Sequence, residues 1–550
     1  MTSRREFLHW AAALAAAVPA ARSVSALAQQ RVTQDDLLAF EPLGQVTILH
    51  LADLHAQLMP LYVREPVTSF ERRAGRAFLD AYAVPHGSAL GYALAGEDFL
   101  PLTRAYGKVG GLDRIATVIN AIKAERPEQT LVLDGGDSWQ GSFGALQTRG
   151  ADMAEAMNAL GIDAMTGHWE FMLGRERVLE LVETLDTSFL AENVRDTEWD
   201  DEPFDGYGFF EAGGINIAVI GLAYAQTAAA NAGGAVANLS FAVDPAKLRT
   251  RVAELRQQGA ALVMLLSHNG RAFDRKLATL VPGIDVIFSA HSHDALPAPD
   301  TVNNTLIVAS GAHGKFVSRL DLDVQSGKIA AHRFRLIPIL ADAIAPDPDM
   351  AEIVARLRTP FDKAQRRVLG KAESLLYRRD ALESTVDNMI LDALAETANA
   401  EIALSPAFRW GATLLPGQDI TVEDVMSYVA ISDGNSYRTQ MTGAVLKAAL
   451  EAAADTVFNP DPFNRHGRDM LRVGGLGFVV NPDKPAGQRI VDPVVLRTNQ
   501  PLDAARSYAV AGWAGADPAE GRAIWDVVSG YIVRKKTIRS QERRRVRLAG

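Results

Sequence analysis

Short runs rich in valine, isoleucine and leucine recur through the first 340 residues, at 46–51, 130–133, 163–166, 215–222, 261–266, within 285–294, and at 305–310. Each run is too short for a typical helix and reads as a buried strand. The intervening segments have another period. Leu112, Ile115, Ile119 and Ile122 fall on one helical face, and 151–160 and 245–258 also carry helical spacing. Strands alternating with helices predict a parallel or mixed sheet covered by helices.

The pattern changes near 338–348, which is dense in Pro, Asp and Ala and reads as a domain boundary. A helix over 349–367, interrupted by Pro360, should follow. Beyond it, 443–456 is helical, 404–416 and 474–481 read as loop-rich, and the basic stretch 534–547 reads as a solvated or disordered extension. Residues 56–110 form one long connection, in which adjacent Arg64 and Glu65 either line a channel or, as general grounds favour, form a surface ion pair. The resulting division is 1–28 export signal, 40–340 first domain, 341–370 linker and helix, 371–533 second domain, and 534–550 basic tail.

A length of 550 residues, 48% of them hydrophobic, suits more than one domain. The net charge of -10 argues against nucleic acid or an anionic membrane as the main partner. Cysteine is absent, so any metal must be held by nitrogen and oxygen. At the start, Arg4 and Arg5 form a twin-arginine pattern, followed by an apolar run over 10–21 and the small-residue site Ala26-Leu27-Ala28. The run is shorter than the ~20 residues that span a bilayer, so a cleaved signal and a periplasmic location are expected, without stable membrane insertion, an uncleaved interfacial helix being the alternative.

The candidate chemistry stands where the runs stop. Asp53 and His55 follow the first, and Gly135-Gly136-Asp137 the second. Gly167-His168-Trp169-Glu170, Ser267-His268 and the pair His291/His293 follow later ones. Residues two apart leave one face of an extended chain, and strand carboxyl ends converge at one edge of such a fold. Asp53, His55, Asp137, His168, His268, His291 and His293 are too many for one ion with an open position but suit two. Asp137 is the natural bridge, its glycines allowing close backbone approach. Mn, Fe and Zn all accept such ligands. His313 reads equally as support for a ligand or as a structural histidine. Arg409, between Phe408 and Trp410, is a candidate clamp for a tetrahedral oxyanion, or else a surface arginine. Trp169 either lies along a substrate arm or is plain core.

Taken in order, Asp-x-His, Gly-Asp, Gly-x-x-Glu, Ser-His and His-x-His resemble the calcineurin-like binuclear metallophosphoesterases, and the length resembles their 5′-nucleotidase group. Within it the segments LADLHAQLMPLYVREP (51–66), TRGADM (148–153), MTGHWEF (165–171), LLPGQDITVEDVM (414–426), FNPDPF (458–463), DMLRVGG (469–475) and AGWA (511–514) are similar to the SoxB family of sulfur-oxidation hydrolases. Residues 430–437 and 463–468 depart from that pattern.

The resemblance implies an α/β metallophosphoesterase-like β-sandwich flanked by helices, and an α+β C-terminal domain of 5′-nucleotidase type closing over the site. Two Mn ions are implied, one held by Asp53, His55, Asp137 and His293, the other by Asp137, His168, His268 and His291. The implied activity is release of sulfate from a cysteine S-thiosulfonate on a SoxYZ-type carrier, by a hydroxide held between the ions. Asp137, His168, Trp169 and Arg409 would be catalytic, with Trp169 and Arg409 meeting the substrate. Nucleotidases place Asn and then His at the positions of His168 and Trp169, and an orienting Asp at that of Met172. A sugar alkoxide needs a proton on leaving, whereas a sulfur anion does not. A nucleotide phosphoesterase and a non-catalytic, metal-stabilised carrier-binding protein are the alternatives.

Overall fold

The computed structural model describes residues 32–65, 75–230, 234–431, 434–465, 469–514 and 521–549. The expected export signal over 1–28 lies outside these residues, as do parts of the two divergent segments. Among the described residues no helix is long and apolar enough to cross a membrane.

The first domain is two stacked six-stranded mixed sheets, not one sheet with helices on both faces. In one, the parallel strands Val46–Leu51, Thr130–Asp134, Ala164–Met165 and Ser188–Phe189 continue into antiparallel Phe316–Gln325 and Lys328–Pro338. In the other, Ile215–Leu222, Leu262–Ser267, Val286–Ser289 and Thr305–Ala309 are parallel, with antiparallel strands at both edges. Alternate residues of each strand face inward, and Ile48, Leu133, Val219, Met264, Phe288 and Leu320 meet in the layer between the sheets. The opposite residues pack under helices. Leu49 and Val132 lie beneath Leu112–Glu125, and Val263 and Leu265 beneath Pro245–Gln257 and Arg271–Leu280.

Four expectations need correction. The connection over 56–110 contains the helices Arg76–Ala81, Ala89–Leu94 and Phe99–Tyr106, held by stacking of Tyr92 on Phe99 and Tyr106. The segment 341–370 is no free linker. Ile344, Met350 and Val354 enter the first domain's core, and the helix Pro348–Arg358 ends before Pro360. Residues 534–549 are no loose extension either. Thr537–Ile538 pairs with Val368–Ala372, Val546–Leu548 pairs with Leu476–Val480, and Arg543 is paired with Asp392. That pairing also makes a strand of part of 474–481, read from sequence as loop.

Among the described residues, the second domain builds three small sheets around the helices Thr385–Ala398, Gly443–Val457 and Ile524–Lys535. Its strand Ile402–Ser405 is followed by a loop that carries Phe408, Arg409 and Trp410.

Candidate metal centre

All seven predicted ligands are buried and follow the carboxyl ends of parallel strands, four from one sheet and three from the other. His168, His268 and His291 form one compact triad, and Asp53, His55 and His293 another. Asp53 and Asp137 together meet His268 in the interval between them. His268 Nε2 lies 3.7 Å from Asp53 Oδ1 and 4.0 Å from Asp137 Oδ2, while His55 Nδ1 is 3.7 Å from Asp137 Oδ1.

The backbone is bent to bring these side chains together. Asp53, His55, Asp137, His291 and His293 all have positive φ, from 49° to 71°. That region costs a non-glycine residue roughly 1–2 kcal/mol, and clustered strain of this kind marks functional sites. Main-chain bonds hold the turns, with Asp53 N donating to Gly136 O at 2.9 Å and His55 N to Asp137 O at 3.0 Å. Gly136, at φ 86°, has no room for a side chain, since a Cβ would meet Thr166 O at 2.5 Å.

Several groups support these turns and rings, and of them only Glu170 stands in a sequence motif. Glu170 accepts from the backbone amides of Ser138 and His168, both at 2.7 Å, and so ties the Asp137 turn to the His168 turn. His268 Nδ1 donates to Gly135 O at 2.6 Å, which leaves Nε2 as the lone pair facing the carboxylates. Tyr224 stacks on His291 with ring centroids 4.0 Å apart. Glu65, read from sequence as half of a surface pair, is buried beside His293 and His313, 2.7 Å from the Lys315 ammonium. Arg64 instead reaches Asp380 of the second domain.

The donor set fits divalent cations. Asp53 Oδ1, Asp137 Oδ1, His55 Nδ1, His268 Nε2 and His291 Nε2 are all buried without a hydrogen-bond partner. So many orphaned donor atoms at one point would be costly with nothing to bind. Burial pushes the Asp53 and Asp137 carboxyls well above the ordinary range, although Arg409 opposes it. Burial likewise drives His55, His291 and His293 well down, and His268 to about 3. Neutral imidazoles are the ligating form, and a cation would offset the buried carboxylate charge.

The remaining predicted residues lie where the domains meet. Arg409 is 9% exposed, and its charge acts on Asp53, Asp137 and His291, so it is not a surface arginine. Arg379, unremarked in the sequence, donates through Nη2 to Ser292 O at 3.0 Å, between two of the histidines. Trp169 enters the apolar cluster of the second domain, edge-on to Phe408 at 5.4 Å and Trp410 at 5.5 Å, and Met172 packs there too.

Residues 368–524 match the model for the 5′-nucleotidase C-terminal domain. Curated relatives include the 5′-nucleotidase of Bos taurus, 25% identical over 80% of this chain and 86% of its own, and that of Homo sapiens, 25% identical over 73% and 75%. Among solved structures, the sulfate thiohydrolase SoxB from Thermus thermophilus is 36% identical, with a TM-score of 0.89 over 93% of this chain and 98% of its own. A 5′-nucleotidase precursor, also from Thermus thermophilus, shares the fold at 22% identity, with a TM-score of 0.74 over 92% and 99%.

Proposed function

Because the chain belongs to the two-domain 5′-nucleotidase family of metallophosphoesterases, we propose that it is a metal-dependent hydrolase of the SoxB kind. Its substrate would be a cysteine S-thiosulfonate on a SoxYZ-type carrier, and its product sulfate. The observation that carries this reading is Trp169. Where a nucleotidase places a proton-donating histidine, this chain has an indole sealed against Phe408 and Trp410. Met172, in place of the orienting carboxylate, belongs to the same apolar cluster. Such a site offers no acid at that point, which suits a leaving group that departs as a sulfur anion.

Asp53, His55, Asp137 and His293 would hold one ion, and Asp137, His168, His268 and His291 the other, Mn being our choice. Two such ions supply Lewis acidity and lower the pKa of bound water. The chain's own part is orientation and charge. Glu170 fixes the Asp137 and His168 turns, and Arg409 brings a planar cation toward the carboxylates, where it would bind sulfonate oxygens. We place the protein in the periplasm, exported through the twin-arginine signal of residues 1–28. The curated nucleotidase relatives favour a second reading, a phosphoesterase acting on nucleotides.

The test is sulfate release from a thiosulfonate-loaded carrier, with Mn added and then chelated, beside phosphate release from a nucleoside monophosphate. Mn-dependent sulfate release supports the proposal, and phosphate release alone supports the second reading. Carrier binding without either product would make the protein a non-catalytic partner.

A further inference from the structure

Glu65 is 4% exposed, and four basic side chains from both domains converge on it. Its Oε2 is 2.7 Å from Lys315 Nζ. Its Oε1 faces His293 Nδ1 at 3.4 Å, His313 Nε2 at 3.3 Å and the Arg379 guanidinium at 3.6 Å. Glu65, His293 and His313 are close enough to ligate a cation of their own. Lys315 and Arg379 already set positive charge against that carboxylate, so a third ion there would meet repulsion.

The His293 ring has two distinct sides. Its Nε2 lies 3.5 Å from Asp53 Oδ1 and 3.0 Å from His55 Nε2, while its Nδ1 points at Glu65. A carboxylate that accepts the Nδ1 proton leaves Nε2 as a lone pair toward the centre, which is how outer carboxylates commonly set ligating histidines. Arg379 is drawn to the same carboxylate while donating to Ser292 O, one residue before His293.

We propose that Glu65 is a positioning residue that fixes the tautomer and tilt of His293 while seating Arg379 of the second domain against the same loop. The cation affinity of the Asp53, His55 and His293 group then depends on how the domains are docked. This rests on the reading that those residues hold an ion.

Calorimetric titration of the metal-free full chain with Mn(II) tests it on wild type, Glu65→Gln, Glu65→Gln/Lys315→Met and Arg379→Met, with circular dichroism as the fold control. The double variant removes the ammonium that Glu65→Gln would leave buried and unpaired. Wild type should take up two ions. In both Glu65 variants one site should weaken by about 10–100-fold while the other holds, and Arg379→Met should weaken the same site by less. Wild-type affinity in the double variant would mean that Glu65 only neutralises Lys315, and would overturn the proposal. Unchanged affinity in Arg379→Met would overturn the link to the second domain. A double variant that does not fold would make Glu65 a core residue and overturn it too. A wild type that takes up no ion would sink the metal reading itself, and the proposal with it.

Discussion

Trp410 stacks on His55 with ring centroids 5.1 Å apart and planes 27° from parallel, so a side chain of the second domain lies on a candidate metal ligand of the first. The indole is 4% exposed and its Nε1 makes no hydrogen bond. Trp410→Ala should therefore destabilise the chain by about 3–5 kcal/mol, the range for large aromatic truncations, and weaken cation binding. Trp410→Phe should recover most of both. Urea unfolding and Mn(II) titration of the two variants would show it, and equal losses in both would mean that stacking is not what the position supplies.

Asp137→Asn should leave a folded protein short of metal, with turnover down roughly 10²-fold or more, since an amide cannot bring the same charge to two ions. Metal analysis and a sulfate assay on the purified variant decide it. Wild-type metal content would remove Asp137 from the centre.

Trp169→His with Met172→Asp restores the acid and carboxylate of a nucleotidase at these positions. Sulfonate hydrolysis should fall, because the indole surface against Phe408 and Trp410 is lost. A weak activity on phosphate esters should rise, since a general acid contributes ~10²–10⁴-fold where the leaving group needs one. Clearly faster sulfonate hydrolysis at neutral pH would show that departure does need a proton and would end the leaving-group explanation.

His50 lies fully buried inside the sandwich, its Nδ1 2.6 Å from Ser310 Oγ, and burial lowers its pKa to about 3. The folded state keeps the ring neutral, whereas the unfolded chain protonates near 6.5. Its contribution is thus fully present above pH 6.5 and is lost on acidification, by about 1.4 kcal/mol per unit down to about pH 3. In His50→Gln the slope of unfolding free energy against pH should flatten by that amount below 6.5. Parallel wild-type and variant curves for the metal-free protein would refute it.

The strand ends and their donors are legible because each depends on local text, a short apolar run followed within a few residues by Asp or His, twice as a pair at spacing two. Glu65 is not, because its partners lie at 293, 313, 315 and 379, and its neighbour Arg64 mimics an ion pair. The last residues mislead in the same way. Their basic charges suggest solvent, but Ile538 and Val546 are buried in strands, and the balancing Asp392 lies over 150 residues away. Trp169 is readable as either core or substrate contact until the second domain is placed against it.

Each triad draws on both sheets, Asp53 and His55 with His293, and His168 with His268 and His291. The contact between His55 and His293 closes a span of 238 residues, a long-range pairing that folding reaches late. A chain with only one sheet assembled owns neither triad. A divalent cation would then find its complete site only in the finished sandwich and pull the folding equilibrium toward it, each site adding about 2.7 kcal/mol when free ion stands at 100 times its Kd. Ion uptake would thus act as a proofreading step, passing over half-built chains.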